Sequence, residues 1–211
     1  MDELFSYQNN LLSLTNNRWQ RYLYPELNKD TRLLGLKGLR GVGKTTMLLQ
    51  YLANDCPEPD KALYVTADHP YFYTNTLFDL ASQWSRYGGK YLLIDEVHKY
   101  ARWSQELKLI YDGHPDMKVY FTGSSALDLF RGEADLSRRL ESKTLQGLSF
   151  REYLALNHGY QIEVLSLEDI LDHHDELAKK MLSNIKILPL FKAYLREGYF
   201  PFSGQLPKGA L

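Results

Sequence analysis

The sequence predicts an α/β fold in which helices cover both faces of a parallel sheet. Short apolar runs alternate with segments of helical periodicity through the first two thirds of the chain. One of these runs, residues 91–94, is continuously apolar, as expected of a central parallel strand covered on both faces. The glycine-rich residues 38–45 connect the first run to a helical segment, which is the arrangement of a phosphate-binding strand–loop–helix unit.

The elements follow in regular order along the chain. Residues 1–30 look helical, with Asn17 as a possible cap before a helix at 18–23. Three helices with one apolar face are predicted. The first follows the phosphate loop, the second begins at Leu77 and the third begins at Trp103. The predicted strands are 33–36, 62–66, 91–94, 119–122 and a fifth within 142–150.

The pattern changes to helices alone from Arg151 onward. A capping box at residues 166–169 starts one helix, and a last helix runs from Pro189 to Glu197. We therefore predict a core over residues 1–150 and a helical subdomain over 151–211, with a frayed tail after Pro201.

The motif that indicates chemistry is G-x-x-x-x-G-K-[ST] at residues 38–45. Glycines let the backbone N–H groups approach phosphates without a Cβ in the way. We expect Lys44 to reach the β- and γ-phosphates and the Thr45 hydroxyl to bind Mg²⁺. The following helix adds its N-terminal dipole to the same anion site. The predicted nucleotide-binding residues are Gly38, Arg40, Gly41, Val42, Gly43, Lys44, Thr45 and Thr46.

A pair of carboxylates at the end of the apolar run 91–94 supplies a partner for this loop. Asp95 is placed to bind Mg²⁺ together with Thr45, and Glu96 to orient or deprotonate an attacking water. A carboxylate pair after a strand is also an ordinary helix cap when it occurs alone. Its combination with the phosphate loop favours catalysis with ATP and Mg²⁺ as cofactors.

Several motifs in order resemble one family of nucleotide hydrolases. They are residues 38–46, 93–100, 103 with 106–108, 121–125, 136–139 and 148–153. The set is similar to AAA-type ATPases related to archaeal ATPases, which often carry a C-terminal domain of unknown function. The resemblance implies a three-layer P-loop NTPase sandwich with a five-stranded parallel sheet in the order 5-1-4-3-2 and a small helical lid. Such proteins usually continue into a second domain past the position of Pro201, so we expect a shortened or naturally short form.

The resemblance also implies two further catalytic positions. A polar residue that senses the γ-phosphate would be Ser124 or Ser125, although a Gly-Ser turn closing a strand is an equal alternative. An arginine finger that reaches a neighbour's nucleotide would be Arg138 or Arg139 and implies a homo-oligomer. These arginines could instead bond the last carbonyls of a helix.

Composition limits the other partners and the compartment. The chain of 211 residues carries 25 basic and 26 acidic residues, so nucleic acid is a possible partner that the charge does not support. The acidic N-terminus and the lack of a long apolar run indicate neither signal peptide nor membrane span. A single cysteine, Cys56, suits a reducing compartment, and we expect a cytoplasmic protein.

The leading functional hypothesis is an ATP-binding, Mg²⁺-dependent ATP-hydrolysing module that couples nucleotide state to an attached domain or partner. The alternative is a nucleotide-gated binding switch with negligible turnover, for which nucleic acid is a candidate partner. A small-molecule phosphotransferase is disfavoured by Glu96 and by the absence of an arginine-rich lid sequence. The residues do not indicate the biological process.

Overall fold

The structure, a computed structural model, describes residues 1–17, 19–124 and 135–202. The chain divides into two compact units, Met1–Gln146 and a second that begins at Gly147. The first unit contains the sheet, and the described part of the second contains helices.

The sheet has five parallel strands in the order β2-β3-β4-β1-β5. This order confirms the predicted 5-1-4-3-2 topology, read from the opposite edge. Because β1, β3 and β4 are neighbours in it, their carboxyl ends meet at one edge of the sheet, where ligands of open α/β sheets bind. The strands are β1 (Leu33–Lys37), β2 (Ala62–Thr66), β3 (Tyr91–Asp95), β4 (Lys118–Gly123) and β5 (Glu141–Thr144).

Most of the helices lie where the apolar periodicity predicts them. Those of the first unit are α1 (Asp2–Leu14), α2 (Lys44–Asn54), α3 (Leu77–Arg86) and α4 (Trp103–Gly113). Those of the second are α5 (Phe150–His158), α6 (Leu167–Asn184) and α7 (Ile187–Glu197). Capping boxes start α5 and α6, at Ser149 and Ser166, so the predicted box is confirmed.

The predicted helix over residues 18–23 is wrong for the residues described there. No helix begins at Trp19, and a 3₁₀ turn follows at Tyr24–Asn28. The guanidinium of Arg21 is buried and donates to the carbonyl oxygens of Val42 and Gln146. Bonds to distant backbone thus replace the local bonds of a helix in this segment. Arg18 lies outside the described residues.

Helix α1 covers the edge of the sheet at β2. The side-chain oxygen of Gln8 accepts a hydrogen bond of 2.6 Å from the backbone N–H of Tyr64, and both residues are buried. An edge strand with unpaired N–H groups is otherwise a template for pairing with other chains. The contact satisfies one such group and attaches α1 to the sheet.

The main core lies between the sheet and helices α1, α3 and α4. Glu106 is a buried carboxylate at its margin, and it accepts from the backbone N–H of Phe78 at 3.1 Å and the hydroxyl of Tyr100 at 2.8 Å. These bonds fasten the start of α3 to α4. Core residues include Leu4, Leu33, Leu63, Val65, Leu80, Trp84, Leu92, Ile94, Leu107, Ile110, Val119 and Phe121.

The second unit is held together by aromatic side chains. Phe150 contacts the rings of Phe191 and Tyr194, which lie on α7. The hydroxyl of Tyr153 donates to Glu197 at 2.6 Å, and burial together with this carboxylate raises the pKa of Tyr153 to about 12.

Among all the described helices, none has the length and hydropathy needed to cross a membrane.

Two leucines of α4 test the position of this core. We expect Leu107→Ala to lower the free energy of unfolding by about 2–5 kcal/mol, because Leu107 is fully buried and its truncation leaves a cavity. The matched variant Leu109→Ala, at a residue 54% exposed on the same helix, should change it by no more than about 0.5 kcal/mol. Urea unfolding of both variants provides the comparison. Equal losses would contradict the orientation of α4.

Candidate nucleotide-binding site

The phosphate loop connects β1 to α2, and all three of its glycines, Gly38, Gly41 and Gly43, have positive φ. Gly38 has φ +157°, and a Cβ there would lie 2.4 Å from the carbonyl oxygen of Leu145. Gly43 has φ +99° and caps α2, and among the described residues a Cβ built there would meet only Arg21, at 4.0 Å. The space around Gly43 is therefore open to a ligand. No acidic residue occupies the first turn of α2, so its N-terminal N–H groups favour an anion.

Lys44 lies inside this loop. Its ammonium donates to the carbonyl oxygens of Gly38 and Leu39, both at 2.9 Å, and to the hydroxyl of Ser124 at 3.2 Å. The residue is buried, and this desolvation lowers the pKa of Lys44, while the nearby carboxylates of Glu96 and Asp95 oppose the shift.

Asp95, the last residue of β3, is 4% exposed and surrounded by hydroxyl groups. Its Oδ2 accepts from Thr45 at 2.7 Å and from Tyr64 at 3.0 Å, and its Oδ1 accepts from Thr122. Burial and the charge of Asp95 raise the pKa of Tyr64, which therefore stays a donor. Carboxylate and hydroxyl oxygens are the hard ligands that Mg²⁺ prefers, so Thr45 and Asp95 fit that ion.

Glu96 follows in a left-handed backbone conformation, with φ +50° and ψ +42°. Its N–H donates to the hydroxyl of Thr122 at 3.0 Å. Its carboxylate accepts from the hydroxyl of Ser124, at 2.8 and 2.9 Å to the two oxygens. Non-glycine residues rarely adopt this conformation, and such strain is found at functional sites. The side chain is 25% exposed, so water can reach the carboxylate.

The predicted residues Lys44, Thr45, Asp95, Glu96 and Ser124 are thus brought together at the carboxyl ends of β1, β3 and β4. Of the remaining loop residues, Val42 is buried, while Arg40, Gly41 and Thr46 are exposed. Ser125, the alternative γ-phosphate sensor, lies outside the described residues.

The two candidate arginines differ in their surroundings. Arg139 donates to both carboxylate oxygens of Asp112 on α4, at 2.9 and 3.0 Å, and this pairing holds the pKa of Asp112 below its usual range. Arg138 is exposed and has φ +72°. Arg139 is therefore engaged within its own chain, and Arg138 points to solvent.

The sequence analysis did not identify four residues of this site as functional candidates. Thr122 and Tyr64 bind Asp95, His98 lies beside Glu96, and Arg21 bonds to the phosphate loop at Val42. Thr122 was detectable as a hydroxyl residue at a strand end. The other three reach the site through contacts distant in sequence or through a turn, for which the local sequence has no signal.

Residues 30–154 match the family model of an AAA domain (AAA_14). The chain belongs to this family. It is an AAA-type P-loop ATPase domain, as the sequence motifs predicted. The uncharacterized protein MJ1637 of Methanocaldococcus jannaschii is 34% identical to it over 214 residues, which cover 92% of this chain and 45% of that protein. The chain thus spans less than half the length of this relative.

Solved structures that are similar to this chain include PCH-2 and a Walker-type ATPase. PCH-2 of C. elegans aligns with a TM-score of 0.50 and 17% identity, over 97% of this chain and 60% of its own. The Walker-type ATPase of Pyrococcus abyssi aligns with a TM-score of 0.47 and 14% identity, over 84% and 62%. At this identity the likeness to PCH-2 supports the fold alone.

The central position of Thr122 can be tested without nucleotide. Thr122→Val keeps the shape but leaves Asp95 Oδ1 and the Glu96 N–H each short of a partner, so we expect a loss of about 1–3 kcal/mol in the free energy of unfolding. Thr122→Ser keeps the hydroxyl and should lose less. Urea unfolding of both variants is the measurement. A valine variant as stable as the serine variant would contradict the described hydrogen bonds.

Proposed function

We propose that the chain binds ATP with Mg²⁺ and hydrolyses it. The convergence of Lys44, Thr45, Asp95 and Glu96 carries this proposal, in particular the 2.7 Å bond from Thr45 to Asp95, which joins the phosphate loop to β3. These are the parts that a P-loop ATPase uses to bind phosphates, metal and water. Membership of the AAA family supports a nucleotide-binding ATPase module, and hydrolysis of ATP by this chain is our proposal.

Each residue has a distinct role in the proposed reaction. The backbone N–H groups of residues 38–45 and the Lys44 ammonium hold the phosphates and neutralise the charge that develops on them. Thr45 and Asp95 would hold Mg²⁺, which would supply further charge neutralisation for the phosphates. Glu96 accepts a proton from the water that attacks the γ-phosphate, and ADP and phosphate leave.

Ser124 is proposed to report the terminal phosphate to Glu96. Its hydroxyl donates to Glu96 and accepts from Lys44, so it lies between the phosphate-binding and the water-activating groups. If a γ-phosphate oxygen accepts the hydrogen bond from Lys44, the bond from Lys44 to Ser124 is lost. The hydroxyl of Ser124 can then change partner, and the carboxylate of Glu96 becomes available to water.

We further propose that the helical unit over residues 151–211 acts as a lid and that nucleotide state is coupled to an attached domain or partner. The relative MJ1637, at more than twice the aligned length, has room for such a domain. The aromatic cluster of Phe150, Tyr153, Phe191 and Tyr194 gives this unit a packing of its own.

Two substitutions separate binding from hydrolysis. Lys44→Ala should abolish ATP binding in calorimetry, because it removes the buried ammonium that lies against the loop carbonyls of Gly38 and Leu39. Glu96→Gln should bind ATP like the unaltered protein but release phosphate about 10²–10⁴-fold more slowly, since an amide cannot take the proton. Unchanged turnover in Glu96→Gln would remove that residue from the mechanism. ATP binding without turnover in the unaltered protein would favour the binding switch instead.

We propose that Arg138, rather than Arg139, acts on the nucleotide of a neighbouring copy. Arg138 is exposed, and its left-handed backbone is the kind of strain that functional residues carry. Arg139 already has a bidentate partner in Asp112. Under this proposal the site is completed by assembly of a homo-oligomer.

ATPase activity at increasing protein concentration tests the proposed finger. Activity per chain should rise with concentration, and Arg138→Ala should lower the plateau by about 10³-fold or more. Arg139→Ala is the matched control and should stay close to the unaltered protein, because its exposed ion pair with Asp112 contributes little. Flat activity per chain, or a larger loss in the Arg139 variant, would refute the assignment.

A further inference from the structure

We propose that His98 is a positioning residue that aims the Glu96 carboxylate at the attacking water. The inference rests on the proposed function, since it assigns Glu96 as the group that takes the proton. His98 lies in the 3₁₀ turn Val97–Lys99, directly after the left-handed Glu96, and its side chain is 11% exposed. The turn folds the imidazole back onto the residue two positions before it.

The imidazole contacts two groups of the site. Its Nε2 lies 3.3 Å from Oε2 of Glu96. Its Nδ1 accepts a hydrogen bond of 3.4 Å from the backbone N–H of Ser124, just after β4. The ring therefore bridges the end of β4 and the carboxylate that follows β3.

These contacts specify one tautomer of the neutral ring. A backbone N–H can only donate, so the Nδ1 that faces Ser124 must carry a lone pair. The proton of the neutral imidazole then resides on Nε2, where it points at Glu96. The hydrogen bond made by one ring nitrogen determines which nitrogen carries the proton, and here that bond comes from the N–H of Ser124, just after β4.

Glu96 depends on such support because its backbone conformation is unfavourable on its own. Strained residues persist when several surrounding contacts determine them together. Thr122 holds the backbone N–H of Glu96, Ser124 holds both of its carboxylate oxygens, and His98 approaches Oε2 from the turn. In the proposed cycle Ser124 changes partner when a γ-phosphate arrives. His98 is then the contact that keeps the carboxylate from rotating away.

The contacts described for His98 are to Glu96 and to the backbone of Ser124, so its loss should affect turnover more than nucleotide binding. We expect His98→Leu to lower kcat by about 10–100-fold, because a misplacement of about 1 Å has effects of that size, with KM for ATP nearly unchanged. His98→Gln should recover most of kcat, since one amide offers both the acceptor for Ser124 and the donor for Glu96. Lys99→Leu, at the exposed neighbouring residue, is the control and should match the unaltered protein.

Two measurements separate this inference from the proposed function. The ¹⁵N shifts of the His98 ring in the nucleotide-free protein should show the Nε2–H tautomer, and an Nδ1–H tautomer would overturn the inference whatever the enzyme does. Combined with Glu96→Gln, His98→Leu should cause no additional loss of kcat. If Glu96→Gln stops turnover while His98→Leu leaves kcat intact, the positioning role fails and the proposed function stands. If Glu96→Gln has no effect on turnover, the proposed function itself fails.

Discussion

The Asp95 carboxylate and the three hydroxyls around it are the interaction on which the site depends. Burying a carboxylate is unfavourable unless hydrogen bonds compensate, and Thr45, Tyr64 and Thr122 supply them. The three donors come from α2, β2 and β4, so the strand order of the sheet is what makes them meet at β3. The same bonds hold the start of α2, and with it the phosphate loop, against the sheet. In this way the fold and the proposed metal site depend on one group.

Residues at the end of β4 contact both the proposed metal site and the groups that would act on water. Thr122 and Ser124 are two residues apart, the spacing that places strand side chains on the same side of a sheet. Thr122 bonds to Asp95 and to the backbone of Glu96, and Ser124 bonds to Lys44 and the Glu96 carboxylate. In the proposed cycle, a change at the phosphates would pass from Lys44 to Glu96 through the hydroxyl of Ser124.

Sequence could predict the parts of this site that local chemistry determines. The loop at residues 38–45 requires glycine and lysine at fixed spacing, and the continuous apolar pattern before Asp95 predicts a strand that is covered on both faces. The strand order came from resemblance to a family, because apolar patterns do not specify which strands are neighbours. It was confirmed by the pairing of the strands.

The remaining features depend on contacts that no local pattern encodes. Residues 19–23 have helix-compatible composition, yet Arg21 bonds to Val42 and to Gln146, which is 125 positions away. His98 reads as a surface residue until the left-handed turn at Glu96 folds it back. Likewise, Arg138 and Arg139 are equivalent in sequence, and the structure distinguishes them by the ion pair of Arg139 with Asp112 and by the exposed, left-handed Arg138.

The measurement that tests the central claim most directly is calorimetry of a non-hydrolysable ATP analogue, with and without Mg²⁺, in the unaltered protein and in Asp95→Asn. If the hydroxyl-lined carboxylate holds the metal, Mg²⁺ should strengthen binding of the analogue to the unaltered protein, and most of that gain should vanish in Asp95→Asn. Binding that is indifferent to Mg²⁺ in the unaltered protein, or an equal gain in both proteins, would contradict the account.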